Sequence, residues 1–192
     1  GHLQHLYYGR KIHADAQVLC EKHVSIPGNT NIYSPDFNNF SLEDMCLEMS
    51  SWGKGDIREP FIEVSHADGS STSDFLFESS KITLGKEESE TLPGSYDEDG
   101  NVGHLTVILK DSNYNLKLEL HYYVYEKCDV IARSARLLNE SDETVQIKRL
   151  MSTQLDFDME TLVCTTFHGA WAREMKRTDV CLHGGKYVNE SY

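Results

Sequence analysis

The sequence predicts an all-β fold of mainly antiparallel sheets packed face to face, and three observations in its second half predict it. Leu116, Leu118, Leu120, Tyr122 and Val124 alternate with Lys117, Glu119, His121, Tyr123 and Tyr125, the two-residue period of a strand with one buried face. A second run, Leu105 to Leu109, is separated from the first by the polar Asp111-Ser112-Asn113-Tyr114-Asn115, which predicts an antiparallel hairpin. Closely spaced runs of this kind with no helical period between them define stacked antiparallel sheets.

The remaining elements follow in chain order. Leu42, Met45, Cys46 and Met49 recur at i, i+3, i+4 and i+7, with Ser41 as N-cap, Asp44 at the third helical position and Gly53 as a stop; this spacing predicts one short helix. Phe61 to Val64 and Asp74 to Phe77 flank Ala67-Asp68-Gly69-Ser70, a hairpin signal. The acidic stretch from Gly85 to Asn101, with Pro93, Gly94 and Gly100, has no period and predicts an exposed loop. Val130 to Leu138 and Val145 to Leu150 form a further expected hairpin across Asn139-Glu140-Ser141-Asp142-Glu143, whose side chains favour turns.

Composition narrows the function. The 192 residues carry 31 acidic and 18 basic side chains, a net charge of −13, and a surface this acidic repels phosphate, so a general nucleic-acid binder is excluded. Hydrophobic residues make up 39%, enough for a packed core and too much for a disordered chain. No apolar run approaches the ~18 residues of a membrane span, and no membrane partner is expected. The chain opens on Gly1-His2-Leu3-Gln4 without Met, so a piece of a longer protein is expected, and secretion stays open beside a cytoplasmic location. Five scattered cysteines, Cys20, Cys46, Cys128, Cys164 and Cys181, contain no C-x-x-C pair. They predict a reducing compartment with mostly buried thiols, and no metal or other cofactor. The sequons at Asn39, Asn139 and Asn189 are too short a pattern to carry weight.

Familiar catalytic signatures, the G-x-S-x-G elbow, P-loop, H-E-x-x-H and dinucleotide fingerprint, do not occur. His2 and His5 read as a tag remnant or surface pair, and His168 and His183 as structural or pocket-lining residues near Trp171. Two clusters are less ordinary. In Trp52-Gly53-Lys54-Gly55-Asp56-Ile57-Arg58-Glu59-Pro60, Asp56 and Arg58 either hold a structural loop together or bind hydroxyls beside a Trp52 that stacks on sugar rings. In His168-Gly169-Ala170-Trp171-Ala172-Arg173-Glu174, Trp171 is either core packing or a sugar platform.

With Leu6-Tyr7-Tyr8-Gly9, Leu92-Pro93-Gly94-Ser95-Tyr96 and Asp129-Val130-Ile131-Ala132-Arg133-Ser134-Ala135-Arg136 followed by Asn139, these two clusters form an ordered series spanning nearly the whole chain. The series resembles the N-terminal region of glycoside hydrolase family 36, the α-galactosidases or melibiases. The resemblance implies a β-supersandwich, here incomplete at both ends, ahead of a catalytic (β/α)8 barrel. The enzyme would release terminal α-linked galactose from oligosaccharides with retention, through two carboxylates lying downstream of Tyr192. No catalytic residue is expected within this chain. The resemblance also implies a homo-oligomer, with tetramers among similar members, in which the loop from His23 to Phe40 reaches a neighbouring active site. That loop holds Asp36 and several asparagines but no Arg, a departure that argues against the contact. Asn31, Asp36 and Asn38 are its candidate sugar-binding residues. The competing readings are a stand-alone carbohydrate-binding sandwich and a mutarotase-like domain, the latter needing convergent His and Glu that linear order does not place.

Overall fold

The computed structural model describes all residues except 14, 21–30, 89, 90, 92, 157–160 and 191–192. It divides into two compact units, Gly1–Asp156 and Phe157–Tyr192. The first holds strands β1 (Ile62–Ser65), β2 (Leu76–Leu84), β3 (Gly103–Asp111), β4 (Leu116–Tyr125), β5 (Val130–Asn139) and β6 (Gln146–Leu150). The second holds β7 (Leu162–His168) and β8 (Lys176–Leu182), an antiparallel pair. Among the described residues the helical segments are single 3-10 turns, and none is long and apolar enough to cross a membrane.

Alternation builds the core. β2-β3-β4-β5 form a four-stranded antiparallel sheet, and β1 and β6 form a two-stranded one. Val107, Leu109, Leu116, Leu118 and Leu120 point from β3 and β4 into one cluster with Phe61, Ile62, Val64 and Phe75. Each fully buried side chain of this size stabilises the fold by about 1.5–3 kcal/mol. The expected β3–β4 hairpin forms, with Asp111 opposite Leu116. Asp111 is fully buried because its carboxylate accepts from the backbone N–H groups of Asn113 and Asp74, at 3.0 and 2.9 Å.

Other expectations are corrected. The turn after β1 forms, with His66 N–H bonded to the Ser70 carbonyl, yet β1 pairs with β6 and β2 with β3. β6 likewise leaves β5, which pairs with β4. Adjacent runs therefore feed two different sheets, because each must cover the other's apolar face. The predicted helix is a single turn, Leu42–Asp44, ended by an extended Met45. Met45, Leu47 and Met49 are buried alternately, and Leu47, outside the helical pattern, bridges Gln4. Backbone bonds from His5 to Cys46 and from Glu48 to Leu3 complete this extended pairing, which satisfies more backbone groups than an exposed helix turn would.

His2 and His5 are not a surface pair: His2 meets Asp74 at 3.0 Å and His5 meets Glu48 at 3.2 Å, with little side-chain exposure. None of the five cysteines is buried and none is in a disulfide; Cys20, Cys128 and Cys181 are exposed. The acidic loop is exposed in most of its described residues. Asp97 gathers it by accepting from the backbone of Lys86, Asn101 and Val102.

Candidate functional site

Two loops of the first unit pack together. Gly53, Lys54 and Gly55 all have positive φ, at 97°, 59° and 79°, so the chain after Trp52 folds back within three residues. At Gly55 a β-carbon would lie 2.6 Å from the Ile32 carbonyl oxygen, so only glycine lets the second loop, residues 31–40, approach. That loop is closed at its base by the Tyr33 N–H on the Phe40 carbonyl, at 2.9 Å.

Asp74 ties the two together. Its carboxylate accepts from the Tyr33 hydroxyl at 2.6 Å and meets His2 at 3.0 Å. Lys54 lies 3.6 Å from the same carboxylate and 4.4 Å above the Tyr33 ring, a cation–π contact. Burial alone would raise the Asp74 pKa, but hydrogen bonds from His2 and Tyr33 and the charges of His2 and Lys54 outweigh it and hold it below the usual carboxylate value. Burial and the Asp74 carboxylate together push the Tyr33 phenol above its ordinary range.

Beneath the loops, Asp56 and Arg58 form a brace. Arg58 Nε and Nη2 donate to Asp56 Oδ1 and Oδ2, each at 2.9 Å. Nη1 donates to the Met45 carbonyl and Asp156, and Nη2 to the Leu42 carbonyl. All five guanidinium hydrogens therefore have protein acceptors. Burial works to lower the Arg58 pKa, and the carboxylates of Asp56 and Asp156 reverse that effect.

The sequence-predicted residues thus take different places. Asn31 sits at the loop base, its amide donating to both Glu43 carboxylate oxygens at 3.1 and 3.3 Å. Asp36 and Asn38 lie exposed at the tip, around a turn in which Phe37 N–H reaches the Ser34 carbonyl. Residues 23–30 of the longer loop lie outside the described residues. Trp52 is half exposed, while Asp56 is buried. Trp171 lies in the second unit, in the β7–β8 turn, and is 95% exposed; Ala170 and Arg173 exchange backbone bonds around it. His168 and His183 are also exposed. The exposed Asn38 amide, the Asp36 carboxylate and each indole can bond hydroxyls or stack on sugar rings; the Asp56–Arg58 brace positions the loop that carries Trp52.

One cluster escaped the linear reading. Glu87, His104 and His121 bring one ligand-type atom each within 4.8 Å of one another. The β3–β4 register makes His104 and His121 diagonal neighbours; the sequence predicted the hairpin but not that register, and nothing in it placed Glu87 beside them.

Paired antiparallel sheets with polar, aromatic-bearing loops define a β-sandwich domain, and its relatives narrow the class. The family model described as "Glycosyl hydrolase family 36 N-terminal domain" matches residues 1–192, and the chain belongs to that family. It is 30% identical to alpha-galactosidase AgaA of Geobacillus stearothermophilus over 91% of this chain and 24% of the relative. It is 31% identical to the bifunctional alpha-galactosidase/sucrose kinase AgaSK of Mediterraneibacter gnavus over 93% of this chain and 19% of the relative. The crystal structure of AgaA superposes with a TM-score of 0.88 at 29% identity, covering 96% of this chain and 26% of that one. The chain therefore spans about a quarter or less of the length of these relatives.

Proposed function

We propose that this chain is the non-catalytic N-terminal domain of a larger retaining α-galactosidase that hydrolyses terminal α-linked galactose from oligosaccharides. The observation that carries the reading is the family match over all 192 residues, set beside relatives named as α-galactosidases of which the chain covers 24% and 19%. The two catalytic carboxylates would then sit on a (β/α)8 barrel downstream of Tyr192, and this domain would contribute assembly and substrate access. The exposed tip residues Asp36 and Asn38, with Asn31 at the base and Trp52 on the adjoining loop, would shape the distal part of a sugar site. A homo-oligomer, a tetramer in form, and a cytoplasmic location belong to the same reading; five cysteines outside any disulfide support the latter.

The intact protein should hydrolyse p-nitrophenyl α-galactoside and raffinose, and the 192-residue chain alone should not. Asn31→Ala and Asp36→Ala should lower kcat/KM on long α-galactosides more than on short ones. Unchanged kcat/KM on both would remove the loop from the substrate path.

A second reading, a carbohydrate-binding sandwich, is favoured by one observation. A cleft of about 490 Å³ is lined by Tyr114, Asp68, Asn113 and Glu143 together with His66, whose ring stacks on Tyr114 at 3.4 Å. Titrating the chain alone with galactose or melibiose separates the two: saturable binding supports the second reading, and none supports the first.

A further inference from the structure

Both carboxylate oxygens of Asp74 are engaged by protein groups. Oδ1 meets His2 Nε2 at 3.0 Å; Oδ2 accepts from the Tyr33 hydroxyl at 2.6 Å and lies 3.6 Å from Lys54 Nζ. With its side chain only 12% exposed, Asp74 is placed to hold other residues and not to meet a sugar itself.

The carboxylate is fixed from behind. The Asp74 N–H donates to Asp111 Oδ2 at 2.9 Å, and Asp111 is fully buried at the end of β3, opposite the core residue Leu116. One line of hydrogen bonds therefore runs from the core hairpin through Asp74 to Tyr33.

Tyr33 is the foot of the 31–40 loop. Its ring packs edge-on against His2 and Phe40, with centroids 5.2 and 5.8 Å away, and Lys54 lies over its face. A tight turn, with the Phe37 N–H on the Ser34 carbonyl, joins this foot to the exposed Asp36 and Asn38. A tilt of Tyr33 is thus carried to the tip within three residues, and bonds to sugar hydroxyls tolerate a distance window of only about 0.5 Å. The ionic states support the contact at neutral pH: Asp74 is held below the usual carboxylate value and the Tyr33 phenol above its own, so the acceptor keeps its charge and the donor its proton.

We propose, on the reading that the 31–40 loop lies in the substrate path, that Asp74 is a positioning residue: through Tyr33 it holds Asp36 and Asn38 where a long α-galactoside passes. The sugar-facing tip is thereby aligned by a carboxylate that no sugar touches.

The deciding variant is Tyr33→Phe, which removes one hydroxyl and leaves His2 and Lys54 on Asp74. In the intact protein it should raise KM for stachyose by about three- to tenfold, with kcat unchanged and both constants for p-nitrophenyl α-galactoside unchanged. Asp74→Asn should act in the same direction, and the double variant should lose no more than the larger single loss. Amide hydrogen exchange reads the same contact without activity: in Tyr33→Phe the Tyr33 and Phe37 amides should exchange at least about threefold faster, while those of β3 and β4 keep their rates. Unchanged exchange in the loop overturns the proposal. So do additive losses in the double variant, or an unchanged stachyose KM in Tyr33→Phe where Asp36→Ala raises it. If Asp36→Ala leaves that KM unchanged while exchange still rises in Tyr33→Phe, the loop reading itself has failed, and the positioning role falls with it.

Discussion

Arg58 and Asp56 meet fork to fork, Nε to Oδ1 and Nη2 to Oδ2 at 2.9 Å each, and the same guanidinium reaches Asp156, 98 positions along the chain. One side chain thereby joins the Trp52 loop, the Leu42–Met45 segment and the chain after β6. Arg58→Ala leaves the buried Asp56 carboxylate without its partner. Because Arg58 is itself partly exposed, the expected loss is about 2–3 kcal/mol, below that of a fully buried pair. A thermal melt should fall by roughly 5–10 °C. Arg58→Lys keeps the charge but not the planar fork, and should recover less than half of that. A melt of Arg58→Ala within a degree of the wild type would show that the brace carries no stability.

Asp74 predicts a pH signature. Its folded pKa is depressed, so the unfolded chain takes up the proton first as pH falls. The stability it contributes is full above the unfolded carboxyl value near ~4 and is lost as pH drops through the lower folded value. Asp74→Asn should therefore be less stable than the wild type at pH 7, with the difference narrowing below about pH 4. Urea midpoints from pH 3 to 7 measure it; a constant difference across that range contradicts the assignment.

Gly55 and Gly69 separate two costs of a side chain. Both have positive φ, 79° and 86°, but a β-carbon at Gly55 meets the Ile32 carbonyl at 2.6 Å, and one at Gly69 meets nothing within 4 Å. Gly69→Ala should cost about 1 kcal/mol from backbone strain alone. Gly55→Ala should cost at least about 2 kcal/mol, because the 31–40 loop must also shift. Equal chemical-denaturation losses would mean that the loops do not pack through Gly55.

The end of the four-stranded sheet leaves an apolar row uncovered. Leu84, Gly103, Val124 and Ile131 are successive partners across β2 to β5, and Leu84, Val124 and Ile131 are 73%, 42% and 44% exposed. Ile82, on the same face, is 80% exposed. Such a surface favours association, so the 192-residue chain alone should sediment with a concentration-dependent mass. Ile82→Lys with Leu84→Lys should reduce that dependence. A wild-type chain that stays monomeric at all concentrations rules it out.

The legible parts of this fold were those written in local period. β4 followed from alternation, its turn from a polar run, and β3 and β5 from apolar runs, because one buried face sets the parity of a strand; that parity holds from Leu116 to Leu120 and then changes, with His121 and Tyr123 buried and Val124 exposed. Partner choice was not local. β1 turns back at residues 66–70 as its sequence predicts, yet β6 completes its sheet, since distant apolar faces compete with the neighbouring run. The helix expected at Leu42 failed for the same reason: Met45, Leu47 and Met49 satisfy a two-residue period as well as a partial helical one, and pairing with Leu3 to His5 decided between them.

The sequence by itself determined an acidic all-β domain, its family resemblance, and loops rich in hydroxyl-binding side chains, all properties of composition, period and ordered motifs. Tertiary structure alone decided which of those side chains are free to meet a ligand. It buried Asp56 under Arg58, left Asp36 and Asn38 at a tip and Trp171 in solvent, and set Glu87 against two histidines that lie 17 residues apart on neighbouring strands. Burial and hydrogen-bond saturation are properties of the packed chain, where each donor is claimed by whichever acceptor the fold brings nearest.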